Sequence, residues 1–233
     1  MTRLLKIFPC GMLATTLAVG FLTTLTGNAA LETMTVTGSV LPTDTDYNDS
    51  IAIRQFDASL GTLQSVTIMA QGSGQFSQFY QNRSTRSTGT VTISQSLDLI
   101  LSMPVGGLLE LTQTEPHTYA RVPVYDGSDY FKGASSGSKD YAVTAENQVT
   151  LTDASSLASF TGSGISDFLV SASGSGASSH INGNFLVGWS TIAGLDLAVV
   201  FSYIAIPEPS TWMAGVFALA SFIFINKHRC KSV

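Results

Sequence analysis

Residues 89–104 read GTVTISQSLDLILSMP. Val91 and Ile93 alternate with Thr and Ser, and Leu97, Leu99 and Leu101 then alternate up to Pro104. The period is two, the spacing at which one face of a pleated strand is buried. Working outward, the same pattern recurs along the chain. It appears at Thr33-Met34-Thr35-Val36-Thr37, at Ile51 and Ile53 before Phe56, at Val66 and Ile68, and at Leu109 and Leu111 after Gly106-Gly107. Val122 and Val124 flank Pro123, which marks an edge strand because proline cannot donate to a ladder. Tyr141/Val143, Val149/Leu151, Phe168/Val170, Phe185/Val187/Trp189 and residues 195–205 complete the set. Turn residues recur every ~8–12 positions, which predicts an all-β antiparallel sandwich, jelly-roll-like or immunoglobulin-like, with about a dozen strands. One short helical turn is expected at residues 153–160, capped by Asp153. The Gly/Ser stretches 72–74, 133–137, 162–164 and 174–176 read as flexible connections, and none has the glycine–lysine spacing of a phosphate-binding loop.

Composition agrees. Of 233 residues, 44% are hydrophobic and only 12% charged, while 30 Ser and 26 Thr supply about a quarter of the chain. A long helical protein would instead be rich in Ala, Glu, Lys, Leu and Arg. The net charge of −5 argues against a nucleic-acid partner, which needs clustered cations. The mean hydropathy is positive, so part of the apolar content is expected in membrane-directed segments.

The N-terminus reads as a secretory signal over residues 1–30. Arg3 and Lys6 precede an uncharged stretch at 12–25, and the small residues Gly27, Asn28, Ala29 and Ala30 follow. Cleavage by signal peptidase is expected after Ala30 or Ala29. Cys10 lies before the apolar run rather than after it, which argues against lipid attachment there.

At the other end, Pro207-Glu208-Pro209-Ser210-Thr211-Trp212 leads into residues 213–225, apolar apart from Ser221, and then Lys227-His228-Arg229-Cys230-Lys231. A helix over residues 212–225 would be about 21 Å long, short against a hydrocarbon core of about 30 Å. The basic end is expected to stay cytoplasmic. This tripartite tail, residues 207–233, resembles the PEP-CTERM sorting signal of bacterial surface proteins, although its basic end is diluted by His228, Cys230 and Ser232. The resemblance implies a transient membrane span at 212–225 and cleavage by an exosortase near Pro207-Glu208-Pro209. It also implies an association with exopolysaccharide.

Residues 31–206 form the expected exported domain. They carry 6 basic and 15 acidic side chains, and both cysteines lie outside them. The domain must therefore fold without disulfides, and no thiolate metal site can be built in it. Asn48-Asp49-Ser50, the block from Phe56-Asp57-Ala58-Ser59-Leu60-Gly61 to Thr67, and Phe160-Thr161-Gly162-Ser163-Gly164 are similar to the choice-of-anchor E domain. That family is an exported β-rich module with alternative surface anchors, and the resemblance brings no catalytic residues with it.

Candidate chemistry is sparse. Asp44, Asp46 and Asn48 match the first ligand positions of an EF-hand, but Asp49 stands where Gly is required and Gln55 where Glu is required. Asp44, Asp46, Asn48 and Asp49 are then either a non-EF calcium loop or ordinary turn chemistry. Asp126-Gly127-Ser128-Asp129 reads the same two ways. His117 and His180 are the only histidines of the exported part, and no nucleophile elbow accompanies them. Tyr80, Tyr119, Tyr125, Tyr130, Tyr141 and Trp189 are either a sugar-stacking face or core and edge packing. Arg83 and Arg86 read as a solvated loop, and the many hydroxyls invite O-glycosylation. The expectation is a non-enzymatic surface or extracellular-matrix protein without a resident cofactor. Its partners would be signal peptidase, exosortase, transiently the membrane, and extracellular polysaccharide. A calcium- or carbohydrate-binding surface module is the alternative, and a secreted hydrolase a more distant one.

Overall fold

The computed structural model describes residues 30–206. The signal segment up to Ala29 lies outside the described residues. So do the sorting residues Pro207, Glu208, Pro209, Ser210 and Trp212.

Eight strands and one short helix make up this region: β1 (Leu31–Asp44), β2 (Tyr47–Arg54), β3 (Gly61–Asn82), β4 (Gly89–Ser102), β5 (Leu108–Val122), β6 (Ser136–Leu151), α1 (Ala154–Ser159), β7 (Ile165–Ile181) and β8 (Phe185–Ala205). They form two four-stranded antiparallel sheets, ordered β1-β8-β3-β6 and β2-β7-β4-β5. Successive strands cross from one sheet to the other except at the β4–β5 hairpin. This is the strand order of a jelly roll, not of an immunoglobulin domain. Gly106 and Gly107 turn that hairpin with φ of 82° and 89°, a region open to glycine at no steric cost.

Eight long strands replace the expected dozen short ones, and two glycine pairs explain the difference. Gly72 and Gly74 lie inside β3, and Gly174 and Gly176 inside β7, so neither Gly-Ser-Gly stretch is a loop. A methyl group at Gly72 would lie 2.6 Å from Leu99 Cδ1, and one at Gly74 would lie 2.6 Å from Leu97 Cδ2. At Gly176 it would collide with the Trp189 ring. The glycines clear space for side chains of the facing sheet. The expected helical turn is α1. Asp153 caps it by accepting from Ser156 N at 2.9 Å.

The described residues fall into two units. The larger, Thr33–Ala58 and Leu63–Tyr203, contains the core. Its apolar part interleaves Ile53, Ile68, Leu99, Leu101, Phe160, Phe168, Leu195, Leu197 and Phe201, all essentially solvent-free. Burial of large apolar side chains from both inner faces drives the two sheets together. Beyond Phe76 the interior turns polar: Gln78, Gln81, Asn82 and Gln95 are fully buried amides. The smaller unit comprises residues 30–32, Ser59–Thr62 and residues 204–206 of the described chain. In it Ala205 N donates to Ala30 O at 3.2 Å and Ile206 N to Leu60 O at 3.1 Å. Leu31, Leu60 and Ile206 are exposed there.

Candidate functional site

The outer face of the β1-β8-β3-β6 sheet carries a groove of about 870 Å³. It crosses all four strands. β1 contributes Thr37 and Ser39, β8 contributes Asp196, β3 contributes Met69 and Gln71, and β6 contributes Glu146 and Gln148. Strand alternation places these exposed side chains on one face. The register sets Met69 opposite Gln148 and Gln71 opposite Glu146. Gln71 Nε2 donates to Glu146 Oε1 at 2.7 Å, which orients that carboxylate. The lining holds two carboxylates, amides, hydroxyls and one thioether, and it holds no lysine or arginine. Such a surface exchanges hydrogen bonds with neutral polyhydroxyl groups and repels polyanions.

Sequence reasoning missed this groove. Its four contributions lie at residues 37–39, 69–71, 146–148 and 196–198, and only the strand order brings them together.

The aromatic residues separate into distinct clusters. Tyr80 and Tyr119 stack with centroids 4.3 Å apart. Tyr119 Oη donates to Gln78 Oε1 at 2.8 Å, and Gln78 Nε2 donates to Tyr141 Oη at 2.7 Å. Tyr141 Oη in turn donates to Glu115 O at 3.3 Å, and the His117 ring meets Tyr141 edge-on. Burial first, then the charges of Tyr119 and Glu115, pushes the Tyr141 hydroxyl up to about 12. These half-buried rings gather around the buried Gln78 and pack the β5/β6 side of the sandwich. Tyr125 and Tyr130 instead flank Arg83, whose guanidinium lies 5.3 Å from each ring centroid. Arg83 and Arg86 are both exposed, as expected of a solvated loop, and Arg83 in addition packs against Tyr125 and Tyr130. Trp189 covers Gly176, and His180 packs on Phe185.

Asn82 organises the loops beside Arg83. Its Nδ2 donates to Ser87 O and Pro123 O, each at 2.9 Å, and its Oδ1 accepts from Ser84 N at 2.9 Å and Asn184 N at 3.2 Å. Gln81 does the same for residues 128–131, donating to Asp129 O at 3.1 Å and accepting from Phe131 N at 3.4 Å.

The acidic loops have local partners. Asp44 ends β1, and Asp46, at φ 69°, turns the chain into β2, where Asn48 and Asp49 follow. Asp46 Oδ1 accepts from Gly174 N at 3.2 Å and Asp49 Oδ1 from Ser50 N at 2.7 Å. Asp126 accepts from Ser128 N at 3.0 Å, from Ala134 N at 2.5 Å and from Ser135 Oγ at 3.2 Å. The Ser128 bond leads in holding its carboxyl down at about 2. Among the described residues, no three His, Cys, Asp or Glu side chains converge to hold a metal ion.

No family model matches this chain, and no curated protein matches it. Three solved structures show limited likeness. Dimeric latent PorU from Porphyromonas gingivalis overlaps 75% of this chain and 13% of its own, at 7% identity and a TM-score of 0.29. The Cry4Aa toxin of Bacillus thuringiensis overlaps 76% of this chain and 24% of its own, at 13% identity and a TM-score of 0.24. The infectious bursal disease virus Gx strain structure overlaps 85% and 49%, at 12% identity and a TM-score of 0.21. The chain thus spans less than half the length of each, and the overlap is too loose to argue fold or function.

Proposed function

We propose that this chain is a structural component of the cell surface or extracellular matrix, exported by its N-terminal signal and sorted by its C-terminal PEP-CTERM-like tail. Signal peptidase and an exosortase act on it, and it carries no catalysis of its own. The observation that supports this reading is the adjacency of Ala30 and Ala205, joined by a main-chain hydrogen bond. The two expected processing points, after Ala30 and near Pro207-Glu208-Pro209, thus adjoin the ends of one β ladder. Both segments could be removed without cutting into a strand. Intact mass of the protein recovered from the native cell surface or medium tests this. A species starting near Leu31 and ending near Pro207 is expected. A mass that retains residues 212–233 overturns the sorting reading and leaves a membrane-anchored β domain.

A second reading, a carbohydrate-binding surface module, is favoured by the groove around Gln71, Glu146 and Asp196. The calcium variant of that reading draws no such support from the 44–49 loop, where Asp46 and Asp49 already accept backbone N–H groups. Affinity electrophoresis through neutral polysaccharides separates the two roles. Retardation that is lost in Asp196→Ala supports a binding module, and unretarded migration in every polymer leaves the structural role.

A further inference from the structure

Two four-stranded sheets have four edges: β1 and β6 in one, β2 and β5 in the other. An open edge presents unpaired N–H and C=O groups to any other strand, and proteins blunt it with charges, prolines, short strands or covering contacts. Three of these edges are blunted. β5 carries Pro116 and has Arg121 at φ 56°. Its carbonyls at Glu110 and Glu115 accept from Asn147 Nδ2 and Tyr141 Oη of β6. β6 carries Lys139, Asp140 and Glu146. β2 is only 8 residues long, and Asp49 occupies the alternation phase of the buried Ile51 and Ile53, an inward-phase charge.

β1 has none of these devices over residues 33–41. The stretch Thr-Met-Thr-Val-Thr-Gly-Ser-Val-Leu contains no charge and no proline. β8 pairs with one side of it, and among the described residues no strand pairs with the other. We propose that β1 pairs antiparallel with β1 of a second copy of this chain, about a twofold axis at Thr37, making one continuous eight-stranded sheet.

A second copy of the strand satisfies this edge along its whole uncharged length. Thr37 is the midpoint of the uncharged stretch, so centring there pairs all of it. Thr37 then faces Thr37, Thr35 faces Ser39, Val36 faces Gly38 and Met34 faces Val40. Each residue meets one of its own phase, so exposed hydroxyls stay on the outer face and the covered Met34, Val36 and Val40 on the inner one. Threonine pairs across strands are favourable, and no like charges meet: Glu32 falls opposite Pro42. A twofold pairing uses the same edge on both copies and closes. With the other three edges blunted, the assembly stops at a dimer.

The test is sedimentation velocity of the full chain in mild detergent over a concentration series, with Thr37→Lys, Thr37→Glu and their equimolar mixture. Thr37 is exposed, and thermal unfolding of each variant reports that it folds. The wild type is expected to dimerise with concentration. Each single variant should weaken the dimer about tenfold or more by placing like charges face to face. The mixture should recover it. Amide exchange on the wild type provides a check free of variants, with residues 33–41 gaining protection as concentration rises. A monomeric wild type overturns the proposal and would leave the edge to a strand of another protein. A dimer indifferent to T37K, a mixture of folded variants that stays monomeric, or exchange at 33–41 that ignores concentration overturns it as well.

Discussion

Gly72 on β3 and Leu99 on β4 meet across the two sheets at a distance that leaves no room for a methyl on the glycine unless Leu99 moves. A methyl there would lie 2.6 Å from Leu99 Cδ1, and Leu99, itself 2% exposed, would have to shift within the packed core. Gly72→Ala is therefore expected to destabilise the fold by about 1–3 kcal/mol through overpacking. Ser73→Ala, the neighbouring residue on the outer face, should be close to neutral. Denaturant unfolding of both variants decides the matter. Equal midpoints would mean that the sheets part at no cost.

Tyr119→Phe removes the hydroxyl that donates to Gln78 Oε1 while keeping the ring stacked on Tyr80. A loss of about 1–3 kcal/mol is expected, because Gln78 is fully buried and its acceptor is left unpaired. Gln78→Leu should lose less than the two single deletions suggest when combined with Tyr119→Phe. Strict additivity in that double-mutant cycle would deny the coupling.

Asn82→Ala releases three segments at once, residues 84–87, 122–123 and 184. The expected cost is about 2–4 kcal/mol. Limited proteolysis should then cut first within 83–88 or 123–135, whereas wild-type protein resists there. An unchanged cleavage pattern would show that Asn82 does not hold these loops.

Acid should weaken the fold through its capping carboxylates. The Asp126 carboxyl is lowered in the folded state, first by Ser128 N and then by Ser128, Ala134 and Ser135 groups, and Asp153 is lowered by Ser155 and Ser156. A depressed carboxylate contributes stability that is complete above its unfolded value near 3.8 and is lost as pH falls through its folded value. For Asp126 that window runs from about 4 down to about 2. Thermal midpoints measured across it should fall more steeply in the wild type than in Asp126→Asn. At the alkaline end Tyr141 has the opposite sign. Its raised value gives stability that is full below 10 and is lost as pH rises through about 12, which a tyrosinate absorbance titration against Tyr141→Phe would read.

Much of the β architecture was legible because buried strands must alternate. Val91 to Leu101, Ile51/Ile53 and Phe168/Val170 all carry the period of two that their burial demands. Asp153 was legible as a cap because its bond to Ser156 N is local. Strand length was not legible. Gly72-Ser73-Gly74 and Gly174-Ser175-Gly176 look like loops along the chain and become strand only when Leu99, Leu97 and Trp189 arrive from elsewhere. Strand order left no trace in any single segment, so the groove, assembled from four distant pieces, left none either. Of the candidate sugar-stacking residues, Tyr119 and Tyr141 bond Gln78 and Tyr80 stacks on Tyr119; Gln78 is a buried amide that the alternation pattern alone would have shown as a polar interruption.

The position of β8 bears on mechanics. β8 is the last strand before residue 206, and it lies inside its sheet, with β1 on one side and β3 on the other. A chain held by its C-terminal side and dragged by flow would be pulled along this strand. Extracting it means sliding past two neighbours at once, so both ladders resist in shear. An edge strand in the same position would peel away one bond after another. The fold thus places a strand gripped on both sides, not an edge strand, at the end where the tether is proposed.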